Sequence, residues 1–109
     1  MVNFMEFEFE YKSVGCSSCE NKISLFDISG NRIIFSGNIW VPNPCYSLKA
    51  EIKEEDSILS IHLVAISSKK LCIQCIGQIN FKGEILDISK SINLVRIYYG
   101  NEKIFEKKI

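Results

Sequence analysis

The feature that most constrains this 109-residue chain is an alternation of apolar and polar residues that recurs along nearly all of it. In MEFEFEYK, Met5, Phe7, Phe9 and Tyr11 share one parity, and Glu6, Glu8, Glu10 and Lys12 the other. Successive side chains of a strand point to opposite faces, so this segment reads as a strand with one buried and one wet face. KISLFDI and RIIFSGNIWV follow as two more strands around Gly30-Asn31, residue types suited to a tight hairpin turn. Gly37, inside the third run, points to a bulge or a close backbone approach. YSLKAEIK places Tyr46, Leu48, Ala50 and Ile52 inward, and ILSIHLVAI does the same for Leu59, Ile61, Leu63 and Ala65.

LCIQCIGQINF reads as a sixth strand, with Leu71, Ile73, Cys75, Ile79 and Phe81 on one face. The stretch from Ile85 to Ile92 reads as a crossover between sheets, with or without a short helical turn. NLVRIYY and EKIFEKK close the chain as a hairpin around Gly100-Asn101. Seven to eight short strands with turn signals every 8 to 12 residues or so predict an all-β, immunoglobulin-like antiparallel β-sandwich, with a small β-barrel as the alternative. No helical period is long enough for βαβ units. The length suits a single domain, residues 1–109.

The charge balance, 13 basic against 13 acidic residues, lacks the clustered basic face that nucleic acid requires. Edge lysines that discourage strand pairing account for KIFEKK. No stretch approaches the roughly 18 apolar residues of a membrane span. The opening residues carry neither a basic n-region nor an apolar h-region, so the expectation is a cytoplasmic protein unless a leader was removed. About one residue in six is Ile, far above ordinary usage, and Lys greatly outnumbers Arg. That archaeal-like composition suggests a thermophile, although the many Asn residues weaken the reading.

Five cysteines stand at 16, 19, 45, 72 and 75, and CSSC and CIQC are both C-x2-C pairs. Two such pairs can supply the four thiolates of a tetrahedral zinc site from Cys16, Cys19, Cys72 and Cys75. Strand phase opposes it, because residues three apart on a strand face opposite ways. A buried Cys75 reads more simply as a small core residue, so no metal and no cofactor is expected. CSSC lacks the helix N-terminus and α/β pattern of a thiol oxidoreductase. Cys45 and Cys72 both fall at element ends on the outward phase, where a bridge is geometrically easy.

GNIWVPNPCYSL with LCIQCIGQI resembles an uncharacterised group of small prokaryotic β-sandwich proteins, many of them exported. They carry a G-x-I-x-x-P-x-P-C-aromatic-x-L stretch and, later, C-x-Q followed by an apolar residue or Cys. The resemblance covers Gly37 to Ile79 and implies that Cys45 and Cys72 form a disulfide. It brings no established activity. The extra CSSC departs from the group's pattern.

His62, the only histidine, falls on the polar phase beside Ser60. No nucleophile elbow, phosphate loop, zincin or dinucleotide motif is present, and the reading is that the chain is not an enzyme. Trp40 with Tyr98 and Tyr99 is a candidate aromatic patch, although neighbours on a strand cannot share a face. Two prolines should make Val41-Pro42-Asn43-Pro44 a stiff, extended connector. Its plainest role is a crossover stapled at Cys45. Its functional role would be a pre-organised loop, Pro42, Asn43, Pro44 and Tyr46, offered to a protein partner as in peptidase inhibitors. The sequence points to a non-catalytic binding module, as a monomer or a dimer joined by sheet extension. The zinc-stabilised domain is the runner-up.

Overall fold

The computed structural model describes residues 6–109, so Met5 of the first strand lies outside the described residues. Eight strands form: β1 (Glu6–Cys16), β2 (Lys22–Ser29), β3 (Arg32–Val41), β4 (Ser47–Glu55), β5 (Ile58–Ile66), β6 (Gly77–Leu86), β7 (Leu94–Tyr99) and β8 (Glu102–Lys108). They make two four-stranded sheets, ordered β1-β6-β3-β2 and β4-β5-β7-β8. The chain is an all-β sandwich. Neither sheet closes on itself, which removes the barrel alternative.

The connectivity adds two facts that the alternation does not contain. β5 and β7 run parallel, while the other neighbouring strands run antiparallel. An immunoglobulin constant domain orders its strands ABED and CFG, and the order here is 1-6-3-2 over 4-5-7-8. The parallel pair follows from the crossover between Leu86 and Leu94, which carries the chain from one sheet to the other without reversing it beside β5.

Burial follows the parity where strands have neighbours on both sides. Ile33, Phe35, Ile39 and Val41 of β3 and Ile79, Phe81 and Ile85 of β6 meet Leu59, Ile61 and Leu63 of β5 and Val95 and Ile97 of β7 in one core. Fully burying a side chain of this size contributes about 1.5–3 kcal/mol, so this layer dominates the stability. β1 lies at the edge of its sheet. Its Phe7 and Phe9 are half-buried against Phe35 and Phe81, at ring separations of 6.5 and 6.2 Å. Tyr11, expected inward, is exposed.

Two glycines are required by close approach. A Cβ on Gly37 would collide with the Lys22 carbonyl, where a bulge in β2 between Ile23 and Leu25 brings that backbone inward. A Cβ on Gly83 would enter the ring of Phe35. The β4–β5 hairpin turns on Asp56 and Ser57, both at positive φ (51° and 67°), without glycine's freedom at either position.

The sixth strand starts later than the alternation predicts. LCIQCI is not part of it, because β6 begins at Gly77. There Gly77 pairs with Cys16, the last residue of β1, and with Val41, the last residue of β3. Beyond Gly77 neither neighbour continues, so residues 67–76 have no ladder to join.

Candidate functional site

The ends of β1, β3, β5 and β7 lie together at one end of the sandwich, and the connections 17–21, 42–46, 67–76 and 100–101 cluster there. Two of these connections, both crossing between the sheets, make the candidate site.

The first is the proline connection. It does not run extended, as the prolines suggested, but bends into a turn at Pro44-Cys45. The reason is Asn43, whose Oδ1 accepts the Cys45 N–H at 3.0 Å, an Asx turn that competes with extended backbone. The Pro44 carbonyl accepts the Ser13 hydroxyl at 3.0 Å. Pro44 also lies over Gly77, where an added Cβ would stand 2.7 Å from its Cα. Asn43, Pro44 and Tyr46 are half-buried, and Pro42 and Cys45 are exposed. Asn43 is therefore engaged with its own backbone, and Pro44 with the sandwich end.

Pro42 and Tyr46 face a shallow cleft of about 790 Å³ that Trp40, Val64, Ala65 and Tyr99 also line. The Tyr99 hydroxyl donates to the Trp40 carbonyl at 2.8 Å. Burial pushes the Tyr99 phenol above its ordinary range, and nearby Tyr46 and Cys19 add to the effect. Tyr98 takes no part in this cleft. It stacks on His62 on the other face of its sheet, with ring centroids 5.0 Å apart.

The second connection, residues 67–76, is the opposite in character. Leu71 is 104% exposed and Ile73 65%, and Ile76 is also exposed. The Ser68 hydroxyl accepts the Lys70 N–H at 3.1 Å on one side, and the Ile73 carbonyl accepts the Cys75 N–H at 3.1 Å on the other. Between them, the amides and carbonyls of Leu71 and Cys72 have no hydrogen-bond partner among the described residues.

What holds this loop is covalent. Cys72 is bonded to Cys45 of the proline turn, with Cα atoms 6.1 Å apart, and Cys75 to Cys16 at the end of β1, 5.7 Å apart. The chain separations of 27 and 59 residues correspond to about 3.5 and about 4 kcal/mol of constraint on the unfolded chain. The Ile76 carbonyl also accepts the Ser17 N–H at 3.0 Å.

The cysteines thus divide differently from either C-x2-C reading. Cys16 of the first motif and both cysteines of the second are bonded to distant partners, and Cys19 remains a half-buried free thiol. Cys75 is not a free core residue, since Cys16 occupies its sulfur. The zinc set is split, with Cys16 and Cys75 bonded to each other and Cys72 to Cys45. Among the described residues no group of three or more His, Cys, Asp or Glu side chains is placed to hold a metal ion. Two disulfides also do not fit the expectation of a reducing cytoplasm. No helix among the described residues is long and apolar enough to cross a membrane.

Leu71 and Ile73 escaped the sequence reading because their parity imitates the buried face of a strand, a parity that Ile76 does not share. The available signal was the pair of cysteines three apart: on a strand they would face opposite ways, whereas a loop lets both turn back to the protein. No protein-family model matches the chain, and neither the curated proteins nor the solved structures contain a match to it.

Proposed function

We propose that this chain is a non-catalytic protein-binding module whose contact element is the loop 67–76, with the proline turn Pro42–Tyr46 as its foundation. One observation carries the reading: Leu71 and Ile73 stand in solvent on a loop that two disulfides fix to the body of the sandwich. Exposed large aliphatic side chains gain free energy when a partner covers them. Fixing them in advance reduces the conformational entropy lost on binding. In this reading the peptidase-inhibitor-like role moves from Pro42, Asn43, Pro44 and Tyr46 to the loop they support. An oxidising compartment, outside the cytoplasm or in a hyperthermophile, is the setting in which both bonds persist.

The test is site-specific photo-crosslinking. The photoreactive residue is placed at Leu71, or at Lys90 at the far end of the sandwich, in an extract of the native source. The expected result is a discrete adduct from position 71 alone, competed by unlabelled wild-type protein and not by Leu71→Asp protein. Equal labelling from both positions, or none from position 71, overturns the reading.

A further inference from the structure

We infer that Leu71-Cys72-Ile73 is a substrate-mimicking segment. It binds as an extended strand in the cleft of an endopeptidase, with Leu71 in the pocket that takes a large aliphatic side chain. This rests on the reading above, that loop 67–76 is the contact element, and names the class of partner.

Endopeptidase clefts take their substrates as extended chains, using main-chain hydrogen bonds for affinity and pockets for alternate side chains for specificity. A rigid mimic therefore needs three properties. Its backbone donors and acceptors must be free, its side chains must project at every second residue, and it must hold its shape when bound. The Leu71 and Cys72 amides and carbonyls are unpaired among the described residues. Leu71 and Ile73 project into solvent, while Cys72 between them is turned back to Cys45. The turn at Ser68–Lys70 and the Ile73–Cys75 hydrogen bond delimit the segment at either side.

Shape agrees with that assignment. The exposed apolar groups of this loop form a narrow ridge of a few side chains, which fits a concave cleft better than a flat protein face. Standard flat interfaces need on the order of 800 Å² per partner. Leu71, the most exposed of them, takes the principal pocket. Lys69 and Lys70 precede it and favour a cleft with an acidic rim on that side. The Cys45–Cys72 bond lies within the segment and the Cys16–Cys75 bond two residues beyond it, so both bonds restrain the ridge before a partner arrives.

The experiment uses the full, oxidised chain against purified serine, cysteine and metallo-endopeptidases that cleave at large aliphatic residues, read with fluorogenic peptides. The expected result is competitive inhibition of one class by intact protein. Leu71→Asp should weaken it roughly 100-fold, as for a central anchor residue, and Leu71→Met no more than roughly fivefold. Leu71 is solvent-exposed, so both variants should keep the wild-type melting temperature and both disulfides, which mass spectrometry checks.

No inhibition at about 10 µM, weaker than a typical specific complex, overturns the inference. So does inhibition indifferent to Leu71→Asp, or hydrolysis of the loop at the rate of an ordinary peptide. If those outcomes come with a competed adduct at position 71, the partner is of another kind and the binding reading stands. If the adduct is absent too, both fall.

Discussion

The two connections joined by Cys45 and Cys72 solve the same problem from opposite ends. The proline turn is stiff by its own chemistry. Its prolines fix φ, Asn43 closes the turn, and Pro44 rests on Gly77. The 67–76 loop has neither proline nor glycine and no ladder, and is held through two sulfur bonds to structures that are already fixed. The stiff element is half-buried and the loop it steadies carries the exposed side chains. Local rigidity serves here as a foundation, which is why the most conspicuous stretch of the sequence is not the most exposed.

The largest effect should come from reduction. Opening both bonds removes about 7.5 kcal/mol of constraint on the unfolded chain, against a total stability of about 5–15 kcal/mol for a domain of this kind. The melting temperature should fall by roughly 20 °C or more, measured by calorimetry with and without reductant. The double variant Cys45→Ser, Cys72→Ser sharpens the comparison at a cost of about 3.5 kcal/mol. Backbone relaxation by NMR should then show new motion in residues 69–73 and none in Asn43–Tyr46. Equal loosening of both connections would mean that the proline turn also depends on the staple.

Gly77→Ala attacks the foundation instead. Its Cβ would stand 2.7 Å from Pro44 Cα and 2.8 Å from Pro44 N, and backbone cannot swing aside as a side chain can. The expected loss is about 1–3 kcal/mol by denaturant unfolding, with chemical-shift changes centred on Asn43–Tyr46. Wild-type stability would show that the turn is not seated on the sheet.

This division explains what the sequence could and could not disclose. The core of β3, β5, β6 and β7 was legible because those strands have neighbours on both sides, so parity and burial coincide at Ile33, Phe35, Ile61 and Ile79. Gly37 was legible for the same reason, as a glycine in an otherwise regular strand. Leu71 and Ile73 follow the same parity but lie past the ends of β1 and β3. Whether a neighbouring strand continues is a tertiary fact that no local pattern contains. The parallel pairing of β5 and β7 was illegible on the same ground. The proline turn was half legible: its stiffness follows from residue type, but its bend follows from an Asn43 hydrogen bond and its burial from Ser13 and Gly77, distant in the chain.

Tyr99 offers a smaller test, through pH. It comes from the opposite sheet and donates to the Trp40 carbonyl, two residues before Pro42, helping to hold the start of the proline turn. Burial raises its pKa above the ordinary 10.0, so the folded state favours the neutral phenol. Above the unfolded value the unfolded chain loses this proton first, and stability falls as pH rises from about 10 through the folded pKa. Below about pH 10 the contribution is fully present. Tyr99→Phe should cost about 1 kcal/mol at neutral pH for the lost hydrogen bond and flatten the alkaline decline in unfolding free energy. An unchanged alkaline slope would mean that another group governs it.

The smallest effect is expected at the most conspicuous side chain. Leu71→Asp removes a large aliphatic group, a change that in the core would cost several kcal/mol. Here the side chain is in solvent already, and nothing apolar is uncovered by its loss. Stability should shift by no more than about 0.5 kcal/mol, read as the denaturant midpoint at constant slope. Ile61→Ala, a fully buried position, should cost about 2–5 kcal/mol in the same assay. A loss at position 71 approaching that of Ile61 would mean that Leu71 packs against the sandwich in solution. The ridge would then not be free for a partner, and the contrast between a buried foundation and a presented loop would collapse. Unchanged stability, joined to lost binding, is the combination that assigns Leu71 to recognition rather than to the fold.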